Sequence, residues 1–306
     1  MSSLQAQYKN LVPYQSQHAD NGIPKQVMEY LAATRVYPVV SPVGLVGRNA
    51  MAPLRGWPGL CLTIAECIPQ DGPVSHDHTG TLETFFCVDG QFEVSWGNRL
   101  EHAIVLQPGD MCSVPPHVYR AFKNLASEDA RLLVLIQGDQ NMNDKIEMPR
   151  YIGTEIAQQY GDKVVELLAG INMRFQGEED PEFTVQQMMQ RVVRAQAAQV
   201  QPLKHGSQLR YMDPKAASSP VACWPGLEVS VVQAHGACEM TGQADKADWV
   251  FNLSHERSVL SWGQQTIELG FMDVVQVDPG SAWQVKPVAA PSRLLVARQG
   301  RETIVH

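Results

Sequence analysis

The sequence contains the same domain-sized pattern twice. Four short segments occur in the same order in both halves: Trp57-Pro58-Gly59-Leu60 with Trp224-Pro225-Gly226-Leu227, Ser95-Trp96-Gly97 with Ser261-Trp262-Gly263, Pro116 with Pro279, and Arg131-Leu132-Leu133-Val134 with Arg293-Leu294-Leu295-Val296. The offset between paired segments drifts only from 167 to 162 residues. Because four matches in one order rarely arise by chance, the pattern indicates a duplicated domain, and 306 residues suit two domains.

Each copy is predicted to be built mainly of β-strands. Short runs rich in β-branched and aromatic residues, such as residues 60–68, 85–94 and 132–136, are separated by Gly, Pro, Asn and Asp. This pattern is typical of a sandwich or a closed barrel. Between the copies, residues 151–168 and 183–198 carry apolar residues three and four apart, which predicts two helices. The expected fold is therefore mainly β, with two barrels joined by a helical segment.

These elements predict four segments of chain. They are an N-terminal arm packed on a barrel (residues 1–44), a first barrel (45–147), a helical connection (148–218) and a second barrel (219–306).

One short stretch of the first copy carries metal-binding chemistry. His76 and His78 are separated by one residue, and Glu83 follows after four more. On a strand, His76 and His78 point to the same face. Two imidazoles and a carboxylate from the next strand form a facial set that leaves coordination positions open. The alternative is a chance pattern, with one exposed histidine and one held in the core.

The stretch from His76 to Gly90 resembles the first motif of the cupin superfamily, in which two histidines are followed by a glutamate and a glycine. The glycine that usually precedes the first histidine is missing, because position 70 is Gln. Residues 108–124 resemble the second motif, and the sequence around both motifs resembles quercetinase-like bicupins. The resemblance implies two double-stranded β-helix barrels, also called jelly rolls, and His76, His78 and Glu83 as metal ligands.

The second motif departs from the family pattern at its metal-binding position. The last histidine of that motif is usually a further ligand, and in this sequence its position is Arg120. Guanidinium cannot bind a metal, but it can grip a carboxylate, phenolate or enolate beside one. Arg120 is therefore the candidate catalytic residue, with a structural ion pair as the alternative. His117 sits where the motif has Gly, and a shifted turn would make it a fourth candidate ligand.

The second copy lacks the metal-binding residues. At offsets of 167 or 166, the counterparts of the triad are Gln243, Asp245 and Val250, or Gly242, Ala244 and Trp249. Trp283 takes the place of Arg120. The second barrel is expected to keep the fold without a metal and to serve a structural or interface role.

The triad and the resemblance together predict a metal-dependent dioxygenase that cleaves an aromatic or enolic small molecule, with Fe(II) as the favoured metal and Mn, Ni, Co or Zn as alternatives. Two other functions stay open. One is an isomerase or lyase whose metal acts as a Lewis acid on a carbonyl. The other is a non-catalytic cupin that binds a small molecule.

Charge and composition limit the partners. The net charge of −8 disfavours nucleic acid, and no apolar run is long enough to span a membrane. The N-terminus lacks the apolar core of a signal peptide, and the six cysteines show no paired spacing, so reduced thiols and a cytoplasmic location are expected. Sheet edges that need covering predict a homo-oligomer.

Overall fold

The computed structural model describes residues 5–138, 145–177, 179, 181–211, 227–289 and 291–299. Within this part the chain divides into two compact units. The N-terminal unit is residues 12–192, and the C-terminal unit combines residues 5–11 with residues 193–299. The repeated segment at Trp224-Pro225-Gly226 and the cysteine at position 223 lie outside the described residues.

Strands predominate up to the end of the N-terminal unit. In chain order the elements are β1 (Gln5–Ala6), a 3₁₀ turn (Tyr8–Asn10), α1 (Tyr14–Ala19), α2 (Lys25–Leu31), β2 (Arg35–Pro42), β3 (Leu54–Gly56), β4 (Leu60–Cys67), β5 (Asp77–His78), β6 (Leu82–Cys87), β7 (Phe92–Trp96), β8 (His102–Leu106), β9 (Met111–Val114), β10 (Arg120–Asn124), β11 (Ala130–Gln137), β12 (Ile146–Pro149), α3 (Arg150–Tyr160), α4 (Asp162–Gly170), β13 (Met173–Gly177), α5 (Val185–Met189) and β14 (Val192–Val193).

The remaining elements belong to the C-terminal unit. They are a 3₁₀ turn (Ala195–Ala197), β15 (Gln199–Leu203), β16 (Gly206–Arg210), β17 (Leu227–Ala234), β18 (Cys238–Thr241), β19 (Asp248–Asn252), β20 (Ser258–Trp262), β21 (Gln265–Leu269), β22 (Val274–Val277), β23 (Ala282–Pro287) and β24 (Ser292–Gln299).

The two units repeat one sheet topology. The N-terminal unit contains the strand order β9-β6-β11-β4-β2, and the C-terminal unit contains β22-β19-β24-β17-β16. Smaller sheets repeat as well, with β10-β7-β8 in the first unit and β23-β20-β21 in the second. This correspondence is the two-barrel jelly-roll architecture that the repeat predicts.

Side-chain alternation explains how each barrel obtains its core. Strands β7 and β20 bury every second residue, which is the period of a pleated strand with one face inward. In the first core Phe122 packs edge-on against Phe85 and Phe92, at centroid distances of 5.3 and 6.2 Å. In the second core Trp262 and Trp283 are buried. The five described cysteines are buried free thiols.

Several predicted elements have different bounds in the structure. The run predicted at residues 85–94 is two strands, β6 and β7, because a turn at Gly90 (φ 68°) separates them. The arm supplies two helices and also β2, which pairs with β4 in the barrel sheet. The bounds of the four predicted segments stay a prediction.

The helical connection is shorter than predicted. Helices α3 and α4 cover residues 150–170 with one break at Gly161, as expected for that stretch. The helix predicted over residues 183–198 is wrong beyond Met189, where α5 ends. After this point the backbone turns to the barrel sheet, and the carbonyl of Arg191 accepts a hydrogen bond of 3.0 Å from the amide of Ser113. No helix among the described residues has the length and apolar character that a membrane crossing needs.

Candidate metal centre and pocket

The predicted triad converges on one point inside the N-terminal barrel. A backbone bridge holds His76 against Arg120, through amide-to-carbonyl hydrogen bonds of 3.1 and 2.8 Å in the two directions. His78 follows on the same face, and Glu83 enters from β6. Among the described residues, these three side chains form the group of potential metal ligands whose donor atoms all lie within 4.8 Å of one another.

The distances between the donor atoms suit a single metal ion. Nε2 of His76 and Nε2 of His78 lie 3.8 and 3.4 Å from Oε2 of Glu83. Two ligands that are each about 2.1 Å from one ion lie about 3.0–3.5 Å apart at angles near 90–110°. All three side chains are buried, and Oε2 of Glu83 accepts no hydrogen bond within the described chain. A buried carboxylate oxygen facing two imidazole nitrogens fits a cation between them.

Outer contacts turn both imidazoles toward this point. Nδ1 of His76 lies 2.9 Å from the carbonyl oxygen of Val74, which can only accept, so Nδ1 carries the proton and Nε2 keeps its lone pair. Nδ1 of His78 lies 3.1 Å from the hydroxyl of Thr81. Such contacts fix ring orientation and tautomer in metal sites, and they leave both Nε2 atoms available as ligands.

Burial and mutual interaction prepare the protonation states that a metal requires. Burial lowers the pKa of His76, although the Glu83 carboxylate opposes this shift. Burial raises the pKa of Glu83, but the adjacent imidazoles of His78 and His76 outweigh burial and hold this pKa well below its usual range. A neutral imidazole beside an ionised carboxylate is the form that binds metal. The roles of the three residues as ligands stay a prediction.

Arg120 lies behind the triad instead of in the open space before it. Its side chain is fully buried, and Nη2 donates to the carbonyl of Pro115 at 2.6 Å. Nε lies 3.8 Å from Oε2 of Glu83, and Nη1 lies 3.6 Å from Oδ1 of Asp77. The described residues that line the adjacent pocket do not include Arg120. Its side chain therefore lies against Pro115, Asp77 and Glu83, and a contact with substrate stays a prediction.

His117 lies apart from the three convergent side chains. Its backbone has a φ of 56°, in the left-handed region that favours the glycine found at this position of the motif. The side chain is 60% exposed, with Nδ1 at 3.8 Å from Oδ2 of Asp77. The turn thus directs this imidazole outward, and its role as a ligand stays a prediction.

A pocket opens beside the triad. The lining includes all three triad residues, and most of the remainder is apolar. The polar lining residues Tyr14, Arg48 and Asn49 were not recognised in the sequence. They come from α1 and from the turn between β2 and β3, in stretches that carry no spacing motif. Their distinguishing feature is that they are buried while neighbouring apolar residues are exposed, and this burial can be seen only in the structure.

Strand register identifies the true counterparts of the triad in the C-terminal barrel. On β11 Val134 pairs with Phe85, and on β24 Val296 pairs with Val250. Because Val134 and Val296 are the same position of the repeat, Asp248 is the counterpart of Glu83. The sequence-based counterparts, Val250 or Trp249, are wrong because the loops between strands differ in length, so no single offset applies.

The remaining positions follow from the same register. Arg120 pairs with Trp96, and Trp283 pairs with Trp262, so Trp283 is the counterpart of Arg120, as predicted. Trp283 also pairs with Met240, which therefore replaces His76. The amide of Gly280 donates to the carbonyl of Gln243 as the amide of His117 donates to that of His78, so Gln243 replaces His78. The sequence-based counterparts of the two histidines are therefore wrong as well. The C-terminal barrel thus keeps a carboxylate but has lost both imidazoles.

The conserved carboxylate position in the C-terminal barrel is closed by other side chains. Asp248 is buried, and its Oδ2 accepts hydrogen bonds of 2.7 Å from Nε1 of Trp283 and 2.7 Å from Nη2 of Arg298. Arg298 pairs with Asp248 across the strands, where Ile136 pairs with Glu83 in the first barrel. A guanidinium therefore neutralises this carboxylate.

Comparisons with known proteins agree with this architecture. Residues 64–136 match the family model described as cupin domain. The oxalate decarboxylase of Bacillus subtilis at pH 4.6 has a similar fold, with a TM-score of 0.60 and 11% identity over 98% of this chain and 76% of that one. The oxalate decarboxylase of Lactobacillus farciminis in its formate complex has a TM-score of 0.62 and 12% identity, over 98% of this chain and 87% of that one. A search of curated proteins by sequence found no match.

Proposed function

We propose that this chain, whose two barrels share the bicupin fold and whose residues 64–136 match the cupin domain model, is a metal-dependent enzyme with a single active site in its N-terminal barrel. The observation that carries the proposal is the buried convergence of His76, His78 and Glu83 at the wall of a pocket. A resident divalent transition metal would supply redox and Lewis-acid chemistry that no side chain of the triad possesses.

The protein's own residues make three contributions to this chemistry. The imidazoles of His76 and His78 and the carboxylate of Glu83 would hold the metal on one side, which leaves its other side facing the pocket. Arg120 would position Glu83 from behind. The apolar walls would exclude water and favour an organic substrate with few polar groups.

For the reaction, we favour dioxygenation of an aromatic or enolic small molecule with Fe(II). Two nitrogen ligands and one carboxylate on one face of the metal are the donor set of non-haem Fe(II) oxygenases. Each nitrogen comes from a buried histidine and the oxygen from a buried glutamate, so the triad supplies that set without a further protein ligand.

The second candidate is a lyase, such as a decarboxylase, in which the metal only polarises a carbonyl or carboxylate. Its support is the fold shared with the two oxalate decarboxylases, whose names state that activity. Identities of 11–12% carry the fold and not the reaction. A purely binding cupin is the third candidate, and the pocket would serve it equally well.

Two measurements separate these candidates. Elemental analysis of protein purified without added metal identifies the ion, and one ion per chain is expected. An oxygen electrode then measures uptake with enolic and catecholic compounds. Uptake that disappears in Glu83→Gln supports dioxygenation, whereas carbon dioxide release without oxygen uptake supports the lyase. A metal-containing protein that turns over neither class of compound would contradict the enzyme proposal.

We also expect the chain to form a homo-oligomer. Strand β15 is the outermost strand of the C-terminal seven-stranded sheet, and four of its five side chains are exposed. Sheet edges of this kind are commonly covered by a neighbour. Light scattering that shows only a 33.8 kDa species at micromolar concentration would contradict association.

A further inference from the structure

The turn between β2 and β3 buries polar side chains and exposes apolar ones. Arg48 and Asn49 are 6% and 5% exposed, whereas the nearby Val46 and Met51 are 76% and 62% exposed. The hydrophobic effect favours the opposite arrangement. Backbone hydrogen bonds from Ala50 to Gly47 (3.1 Å) and from Ala52 to Asn49 (3.2 Å) hold this inverted turn.

Both buried polar residues face the pocket of the metal centre. Arg48 and Asn49 line it together with the triad. Oδ1 of Asn49 is buried and accepts no hydrogen bond from the part of the chain that the structure describes. A buried amide oxygen without a donor is costly, and a ligand hydroxyl or amide in the pocket would satisfy it.

The guanidinium of Arg48 is also electrostatically close to the triad side of the pocket. Burial raises the pKa of the Tyr14 hydroxyl, an effect that Arg48 opposes and Glu83 reinforces. Tyr14, Arg48 and Glu83 all line this pocket. The pocket thus has a metal seat, a cation and apolar walls that include Leu31, Val36, Phe122, Ile136 and Met148.

We propose that Arg48 forms an anion-binding end of this pocket, which selects substrates with a carboxylate on an apolar, aromatic body and an oxygen donor for the metal. The buried oxygen of Asn49 would accept a hydrogen bond from a hydroxyl or amide of the same substrate. Guanidinium binds carboxylate bidentately, and it does so most strongly where water is excluded. The inference rests on the proposed function, because it takes His76, His78 and Glu83 as the metal seat.

Two probes of equal shape isolate the contribution of charge. Metal-containing protein is titrated calorimetrically without oxygen with 3,4-dihydroxybenzoate and with its neutral isostere 3,4-dihydroxybenzamide. The catechol group addresses the metal in both probes, and only the first carries an anion. Native protein should bind the benzoate about 10- to 100-fold more tightly, which corresponds to one hydrogen bond to a charged partner.

Variants assign this preference to the turn. Arg48→Gln should bring the two affinities to within a few-fold at unchanged metal content, and Arg48→Lys should retain part of the preference. Arg99→Gln is the matched control, because Arg99 lies exposed in the turn between β7 and β8, and it should behave as native. If Arg48→Gln does not fold, Asn49→Asp provides the second test, since a carboxylate beside Arg48 should also remove the preference.

The outcomes separate this inference from the proposed function. A preference that persists in Arg48→Gln or Asn49→Asp, or native protein that shows no preference or binds neither probe, would overturn the anion-binding role. The same titrations, repeated after a chelator has removed the metal, test the proposed metal site of His76, His78 and Glu83. If removal of the metal leaves both affinities unchanged, the metal seat is wrong, while the ratio between the probes still reports on Arg48.

Discussion

The two barrels place a carboxylate at the same position of equivalent strands, β6 and β19, and neutralise its charge differently. In the N-terminal barrel Glu83 faces two imidazoles that can share a metal ion with it. In the C-terminal barrel Asp248 faces Arg298 and Trp283, whose N–H groups both donate to its Oδ2. The comparison shows that loss of a metal site does not require loss of its carboxylate.

One pair of cross-strand neighbours explains much of the difference. Ile136 lies opposite Glu83 and lines the pocket, so the space before the triad stays open and apolar. Arg298 lies opposite Asp248 and donates into it. A buried carboxylate needs a cation, and in the second barrel Arg298 on the neighbouring strand β24 provides it. The barrel therefore keeps its fold without depending on metal.

The largest expected effect is on metal content. His78→Ala removes one of three protein ligands, so the metal content should fall from one ion per chain to nearly none after dialysis. Elemental analysis of the dialysed protein measures this. His235→Ala, an exposed histidine of the C-terminal unit, is the matched control and should retain one ion. Two ions per chain in native protein would break the comparison between the barrels.

The next effect tests the buried ion pair of the C-terminal barrel. Asp248→Asn keeps the shape of the side chain but leaves the Arg298 guanidinium without its counter-charge, at side-chain exposures of 1% and 14%. Breaking such a pair costs about 3–5 kcal/mol of unfolding free energy. Urea unfolding measures this cost, and metal content should not change.

An exposed ion pair of the same unit provides the control for this change. Arg257 and Glu268 are 67% and 49% exposed, so solvent screens their attraction and Glu268→Gln should cost far less than Asp248→Asn. Equal costs for Asp248→Asn and Glu268→Gln would show that Asp248 does not depend on Arg298.

A smaller, graded effect is expected from pH on the metal-free chain. The pKa of His76 is lower in the folded protein than the ordinary value of 6.5, so the unfolded chain binds more protons below that pH. Stability should therefore fall as the pH drops from about 6.5 toward the folded pKa. The pKa of Glu83 is also lowered, which adds a further loss beginning near pH 4.5. Urea unfolding at several pH values measures both losses.

The variant His76→Gln separates the contribution of this imidazole. Its stability should depend less on pH between about 6.5 and 5 than that of the native chain, because the titrating group is absent. Some dependence should persist from His18, whose pKa burial also lowers. An unchanged slope in His76→Gln would show that this imidazole titrates alike in the folded and unfolded states.

The sequence predicted the features that rest on periodicity and repetition. The duplication, the two barrels and the placement of His76 and His78 on one face all follow from strand alternation and from the order of the repeated segments. Trp283 was matched to Arg120 because Pro279 lies close to it and fixes the offset. Asp248 was missed, because loops of unequal length intervene between the nearest repeated segments and that strand.

Tertiary contacts decided what the sequence could not predict. Residues 190–198 have a helical pattern, but pairing of the backbone with β9 ends the helix. Arg48 and Asn49 lie in a turn without periodicity, and only the packing of that turn on the barrel brings them to the pocket. His117 sits where the motif has Gly, and its φ of 56° lies in the left-handed region that favours glycine, which only the structure shows.

The smallest expected effect concerns the hydrogen bond that Trp283 makes in place of Arg120. Trp283→Phe removes the Nε1 donor that binds Asp248 at 2.7 Å, and a hydrogen bond to a charged group contributes about 1.5–3 kcal/mol. Loss of indole volume adds a packing cost, so the bond is isolated by repeating the substitution in Asp248→Asn, where the charge is absent. Trp262→Phe is the control, because its Nε1 donates to the exposed Asp278 at 3.1 Å. The cost of Trp283→Phe by urea unfolding should exceed that of Trp262→Phe and should shrink in the Asp248→Asn background. If the cost is the same in both backgrounds, Trp283 serves only packing, and Arg298 alone would hold the carboxylate.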